Sequence, residues 1–275
     1  MTGGRSNLSW RVPGPGGAHV VKLFRPENAS PVFPNDPRSE ALVLEALRGS
    51  GLVPELVGIT ETPFGACVIY RHIDGESGNP DPCEAGRLLR HLHDVPAPAG
   101  LRTGPDGSHA LRAEIRAQAQ GLVTPDGQDL AQALLKRICG TDLPRSGVPA
   151  LVHGDPVPGN MITGPGGLRL IDWQCPAVAD PTLDLAIFLS PGMNLIYRGR
   201  PLDDTERQDF LSAYADDETN ARMTGLEALY HARMAVYCLS RAYADPQPET
   251  SRDLAAARLE LLALAECTGT PLLAV

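Results

Sequence analysis

From Leu151 to Ala186 the chain reads LVHGDPVPGNMITGPGGLRLIDWQCPAVADPTLDLA. His153, Asn160 and four aspartates (Asp155, Asp172, Asp180 and Asp184) crowd around two short apolar runs. Carboxylates and an amide oxygen are hard ligands, the kind that Mg2+ takes while keeping some of its waters. Phosphoryl transfer from ATP uses such a set. The metal neutralises phosphate oxygens, and a separate aspartate orients or deprotonates the attacking hydroxyl.

Local chain geometry supports that chemistry. Residues 150–152 form an apolar run that leads into His153-Gly154-Asp155, and Pro156, Pro158 and Gly159 force a loop that Asn160 closes. A Gly-Pro-Gly-Gly turn at 164–167 precedes a second apolar strand, 168–171, which ends at Asp172. Two strands joined by a tight turn bring Asp155, Asn160 and Asp172 to one end of a hairpin. His-x-Asp-x-x-x-x-Asn followed by an aspartate after the next hairpin is, in outline, the catalytic-loop pattern of protein kinases.

The elements that must carry these residues follow from periodicity. Residues 8–12 and 18–24 read as strands, with Pro13 to Gly17 as their turn. Residues 26–37 hold four prolines and read as a loop. Residues 39–47 have helical spacing, with Leu42 and Ala46 on one face, and Gly49 and Gly51 end the helix. Residues 54–59 and 65–70 add two strands. Beyond about residue 76 the pattern is helical over 82–93, 108–120, 127–139, 203–215, 221–244 and 249–267, interrupted by strand-like runs only within 151–172. The prediction is an α+β chain of two lobes. Residues 1–75 would form a small antiparallel sheet lobe with a connector, and residues 76–275 a larger helical lobe. A cleft between two such lobes is a common place for a ligand.

Composition narrows the function classes. The chain has 275 residues, 43% hydrophobic, enough for a sizeable core. Net charge is −9 with no basic stripe, which argues against nucleic acid as a partner. The six cysteines are scattered without a Cys-x-x-Cys pair and read as reduced residues, not a disulfide frame or zinc site. No signal peptide opens the chain and no apolar run approaches about 18 residues, so a soluble, cytoplasmic protein without membrane contact is expected.

VHGDPVPGN, then LIDW, then DPTLDLA resembles the aminoglycoside phosphotransferase and choline kinase family, kinase-like enzymes that phosphorylate small molecules. LLRHLHDVP at 88–96 resembles the helix ahead of that family's catalytic loop. GGRSNLSWRV at 3–12 resembles the nucleotide loop of its choline and thiamine kinase branches, and HVVKLF at 19–24 the strand carrying the ATP-binding lysine. The resemblance implies a two-lobed protein-kinase-like fold with ATP and Mg2+ as cofactors. Asp155 would be the catalytic base, and Asn160 and Asp172 the metal ligands. Lys22 would hold the α and β phosphates, with Glu40 as its partner. Backbone groups of Arg71 to Ile73 would meet the adenine edge. Gly3, Gly4, Ser6 and Asn7 would cover the phosphates, although only Met1 and Thr2 stand where the family carries a first strand. His153 would orient the loop and Asp184 would anchor it. Glu45 competes with Glu40, but the two lie about 140° apart on a helix, so only one can face Lys22.

The function implied is ATP- and Mg2+-dependent transfer of the γ-phosphate to a hydroxyl of a small molecule, a choline-, thiamine- or amino-sugar-like alcohol. Asp172 and Asp184 lie twelve residues apart, too few for a polypeptide-docking segment. Candidates for the acceptor pocket are Trp173, Tyr197, Tyr214, Tyr230, Tyr237 and Tyr243 with Asp180, Asp203 and Asp204, a set suited to a cationic alcohol. Each of these tyrosines also fits ordinary helix packing. The alternative is a nucleotide-binding module with little or no turnover. A metal-dependent hydrolase would need further histidine ligands near His153, and none has suitable spacing. His91 and His93 read as core or capping residues, and Cys175 as a buried neighbour of the site.

Overall fold

Pro15 and Gly16 turn the first hairpin. Strands β1 (Leu8–Gly14) and β2 (Gly17–Leu23) pair antiparallel until Gly14 faces Gly17, so the turn is two residues long, with Gly16 at φ +77°. The strands thus run further into the Pro-Gly segment than the sequence suggests, because glycine fits the left-handed backbone of a short hairpin. The structure, a computed structural model, describes residues 6–122, 125–138, 140, 142–244 and 249–271. Gly3 and Gly4 lie outside them.

Helix α1 (Pro37–Ala46) starts where Asp36 accepts from the Arg38 amide and the Ser39 hydroxyl. Its buried face is Glu40, Val43, Leu44 and the following Leu47. That corrects the face centred on Leu42 and Ala46: Ala46 is exposed, because the helix turns Glu40 inward toward Lys22. Strands β3 (Leu56–Thr62) and β4 (Gly65–Arg71) complete a four-stranded antiparallel sheet of order β1-β2-β4-β3.

After a short connector come β5 (Glu76–Ser77), α2 (Pro82–Asp94), α3 (Gly107–Ala119) and α4 (Pro125–Arg137). Then β6 (Ala150–Val152), the hairpin of β7 (Met161–Gly164) and β8 (Gly167–Leu170), and β9 (Ala177–Ala179) form the central segment. β5 joins the hairpin in the order β5-β7-β8, and β6 pairs with β9. Five helices follow: α5 (Thr182–Leu189), α6 (Pro191–Arg198), α7 (Asp204–Tyr214), α8 (Asp217–Ala244) and α9 (Glu249–Thr268).

The α+β, two-lobed architecture agrees with expectation, but α5 and α6 do not appear in the sequence reading. All eight residues of α5 are buried, so it has no polar face to reveal a helical period. α8 is the axis of the helical lobe: Leu226, Leu229, Ala232, Ala235, Val236 and Leu239 are all buried. Among the described residues no helix is long and apolar enough to cross a membrane.

Candidate active site

Strand β6 delivers the chain into His153-Gly154-Asp155, and Asp184 in the first turn of α5 clamps it there. One Asp184 oxygen accepts from the His153 amide at 2.7 Å and the other from the Gly154 amide at 2.8 Å. Behind it, His93 Nε2 lies 3.2 Å from Asp184, while His93 Nδ1 lies 2.8 Å from the Tyr214 hydroxyl. Gly154 sits at φ +82°, and a Cβ there would stand 2.3 Å from the Cys175 carbonyl oxygen, so the bend requires glycine. His153 is buried against Trp173, their ring centroids 4.4 Å apart. The Asp155 amide donates to His153 Nδ1, and Nε2 lies 3.0 Å from the Ile171 carbonyl, which assigns the proton to Nε2. Burial lowers the His153 pKa and keeps the ring neutral. Its contacts are those of a brace between the loop and the end of β8.

Register in the hairpin does the rest. Met161 pairs with Leu170, and the Ile171 amide donates to the Asn160 carbonyl, so Asn160 and Asp172 emerge side by side at its base. Asn160 Nδ2 donates to the Asp155 backbone carbonyl at 2.9 Å and to its carboxylate at 3.3 Å. This leaves the amide oxygen of Asn160 for another partner. Asp172 adopts φ +64°, a left-handed conformation uncommon outside glycine. Burial first, and then the neighbouring Asp172 charge, push the Asp155 carboxyl well above its ordinary value, while the Asn160 bond pulls the other way.

From the sheet lobe, Lys22 projects off β2 into the same place. Its ammonium donates to Glu40 at 2.5 Å and also bonds Asp172. Lys22 and Glu40 are both buried. Burial alone would lower the lysine pKa, but the two carboxylates reverse that and raise it. Burial raises Glu40 in spite of Lys22, and Glu40 Oε1 has no hydrogen-bond partner among the described residues. Glu45 faces outward and pairs with Arg48.

These groups surround a cavity of about 310 Å3 lined by Lys22, Asp155, Asn160 and Asp172. Ser6 and Asn7 also reach it. Asn7 is buried and tied across the cleft: its amide donates to Gln174 at 2.6 Å and to Asn35 at 2.8 Å. Arg71 and Ile73 are not on the cavity wall. Strand register explains the departure. The Arg71 amide donates to the Glu55 carbonyl, and its guanidinium turns to Glu55 and the Gly16 carbonyl. The His72 amide is used by Ala18. Tyr70, one residue earlier, is the side chain that reaches the cavity.

Of the proposed acceptor-pocket residues, only Tyr197 and Tyr237 line the cavity, joined by Phe33, Tyr70 and Met193, which the sequence did not single out. Trp173 is core and donates to the Leu170 carbonyl. Tyr214 and Tyr230 are buried, bonded to His93 and Thr182, while Tyr243 is exposed. Asp180 is buried against Arg222, and Asp203 caps α7, whose first residue is Asp204. Of the two α2 histidines, His93 is internal and His91 is exposed. Cys175 is buried with its Sγ 2.8 Å from the Pro34 carbonyl, and burial pushes its thiol well above its ordinary value.

Comparison with known proteins gives this arrangement a context. None of the curated proteins matches the sequence. Among solved structures, a spectinomycin phosphotransferase in complex with ADP and spectinomycin superposes with a TM-score of 0.67 at 14% identity, covering 96% of this chain and 92% of that one. A choline kinase from Streptococcus pneumoniae gives 0.68 at 18% identity, covering 96% and 92%. An amicoumacin kinase in complex with AMP-PNP and Ca2+ gives 0.65 at 16%, covering 98% and 89%. At these identities the likeness is one of fold, the two-lobed kinase-like fold. Residues 1–226 match the profile of the phosphotransferase enzyme family, and the chain belongs to that family, the one that includes aminoglycoside phosphotransferases and choline kinases.

Proposed function

We propose that this protein transfers the γ-phosphate of ATP to a hydroxyl of a small alcohol, with Mg2+ as the cofactor. The observation that carries the reading is the meeting of Asp155, Asn160, Asp172 and Lys22 around one cavity. Asp172 and the Asn160 amide oxygen fit Mg2+ as hard oxygen donors, and they would hold it. When bound, the ion supplies neutralisation of phosphate charge. Lys22 binds phosphate oxygens, held at the cleft by Glu40. Asp155 accepts the hydroxyl proton of the acceptor, and the Asn160 amide keeps its carboxylate in place. Burial raises its pKa, the direction that makes a carboxylate a stronger base. Ser6, Asn7 and Tyr70 line the same cavity, and in this reading they border the nucleotide.

Phe33, Met193, Tyr197 and Tyr237 line the same cavity as Asp155, and as an acceptor wall they suit a compact alcohol, including a cationic one that aromatic faces attract. The lobes divide this work: residues 1–75 bind nucleotide and add Phe33 to the acceptor wall, and residues 76–275 carry the base, the metal ligands and the rest of that wall. A cytoplasmic location, where ATP is abundant, fits this reading.

The test is ADP release with Mg-ATP across choline, ethanolamine, thiamine, homoserine, methylthioribose and aminoglycosides, with Asp155→Asn as control. Acceptor-dependent release that disappears in the variant supports the reading. Release that is equal in wild type and variant removes Asp155 as the base. ATP binding without release for any acceptor favours a nucleotide-binding module.

A further inference from the structure

On α8, Glu227 and His231 lie four residues apart, on one face of the helix. The last turn of α9 sets Cys267 beside them. A Glu227 carboxylate oxygen, an imidazole nitrogen of His231 and Cys267 Sγ all lie within 4.8 Å of one another. None of these residues lines the cleft cavity. We propose that they form a second metal site, for a zinc-class divalent cation.

Geometry and donor chemistry both point there. Glu227 Oε1 and His231 Nε2 are 3.8 Å apart. Two ligands of a tetrahedral zinc ion, with bonds of about 2.0–2.3 Å, stand about 3.3–3.7 Å from each other. Closing the set takes side-chain shifts of about an ångström. Sulfur, imidazole nitrogen and carboxylate oxygen together suit borderline-soft zinc and not Mg2+.

A second feature prepares the histidine. Its Nδ1 is 2.7 Å from Glu260 Oε2, and Glu260 is fully buried. Glu260 is itself fixed by the Gly192 amide at 2.9 Å and by the Ser190 hydroxyl. A carboxylate behind a histidine, holding the proton on the far nitrogen, turns the other lone pair toward a metal. Arg207 shares the Glu227 carboxylate. With a divalent ion bound, its charge and that of Arg207 balance the Glu227 and Glu260 carboxylates and the Cys267 thiolate. Cys267 is exposed, which gives the ion a way in and leaves room for water as a fourth ligand. The ion would staple the end of α9 to the middle of α8, apart from the phosphoryl-transfer site.

The experiment uses the untagged full chain, stripped with chelator and kept reduced, titrated with Co2+ and then with Zn2+. One equivalent of Co2+ should develop a sulfur-to-cobalt charge-transfer band that Zn2+ abolishes. Cys267→Ser should lose the band, and Glu227→Gln should weaken Zn2+ binding at least tenfold against a chromophoric chelator. Zn2+ should raise the melting temperature of the wild type and not that of Cys267→Ser. No band in the wild type, or a band that survives in Cys267→Ser, overturns the proposal. So does a Zn2+ melting shift equal in wild type and both variants. None of these readouts depends on turnover.

Discussion

Replacing Asp184 with Asn changes one atom at the back of the His153–Asp155 loop, and its effect can be worked from the geometry. The carboxylate accepts from two buried backbone amides, at 2.7 and 2.8 Å, and meets His93 at 3.2 Å. Asparagine keeps one oxygen. Whichever way its amide turns, an NH2 group then faces either the His153 or the Gly154 N–H, donor against donor. An orphaned buried amide costs about 1–3 kcal/mol, and a surviving bond falls from about 1.5–3 kcal/mol to about 0.5–1.5 kcal/mol on losing the charge. The sum is about 2–4.5 kcal/mol. For a chain of this size it lowers the melting temperature by roughly 4–18 °C. Thermal unfolding followed by circular dichroism, with urea midpoints as a second measure, reads it directly. Acceptor-dependent ADP release should fall further than the folded fraction does, because Asp155 lies one residue beyond the clamped amides. A melting shift under about 2 °C would refute the clamp, since it would mean the two amides do not depend on the carboxylate.

Lys22→Met should weaken ATP binding at least tenfold by calorimetry. Lys22→Met and Glu40→Gln should couple in a double-mutant cycle by about 1–3 kcal/mol, and strict additivity would break the pairing. Gly154→Ala forces a side chain to φ +82° and against the Cys175 carbonyl. It should lower stability by at least about 2 kcal/mol, and an unchanged urea midpoint would count against it. Asp155 has a raised pKa in the folded chain, so its contribution to stability is present below the ordinary carboxylate pKa and is lost as pH rises through the folded value. Asp155→Asn should therefore melt at a higher temperature than wild type at neutral pH while losing turnover, and a lower melting temperature would contradict the sign.

Parts of the site were legible because they depend on neighbours in sequence. Asp155, Asn160 and Asp172 come from one loop and one hairpin, and the turn residues between them determine where they meet. The angle between helix positions allowed only one of Glu40 and Glu45 to face Lys22, and the family resemblance pointed to Glu40. The cavity wall was not legible in this way. Phe33, Tyr70 and Met193 come from three separate segments, and no local pattern links them. The Arg71 and Ile73 side chains stay off the cavity wall, and the Arg71 and His72 amides are bonded to the Glu55 and Ala18 carbonyls, pairings that a sequence pattern does not specify. Helix α5 escaped because complete burial erases the contrast between faces on which periodicity depends.

The Asn7 bridge has a consequence for how the two lobes respond to their surroundings. Asn7, Asn35 and Gln174 are neutral amides, and Asn7 also accepts from the Arg25 backbone amide. Each bond contributes about 1 kcal/mol, and none carries a charge that salt could screen or a proton that pH could remove. This tie between the lobes should therefore hold equally well in dilute and concentrated electrolyte. Ionic strength would act instead on exposed arginine pairs such as Arg48–Glu45 and Arg200–Glu206. A molecule with a net charge of −9 thus joins its two lobes, beside the cavity of Lys22, Asp155 and Asp172, through bonds that are themselves electrically silent.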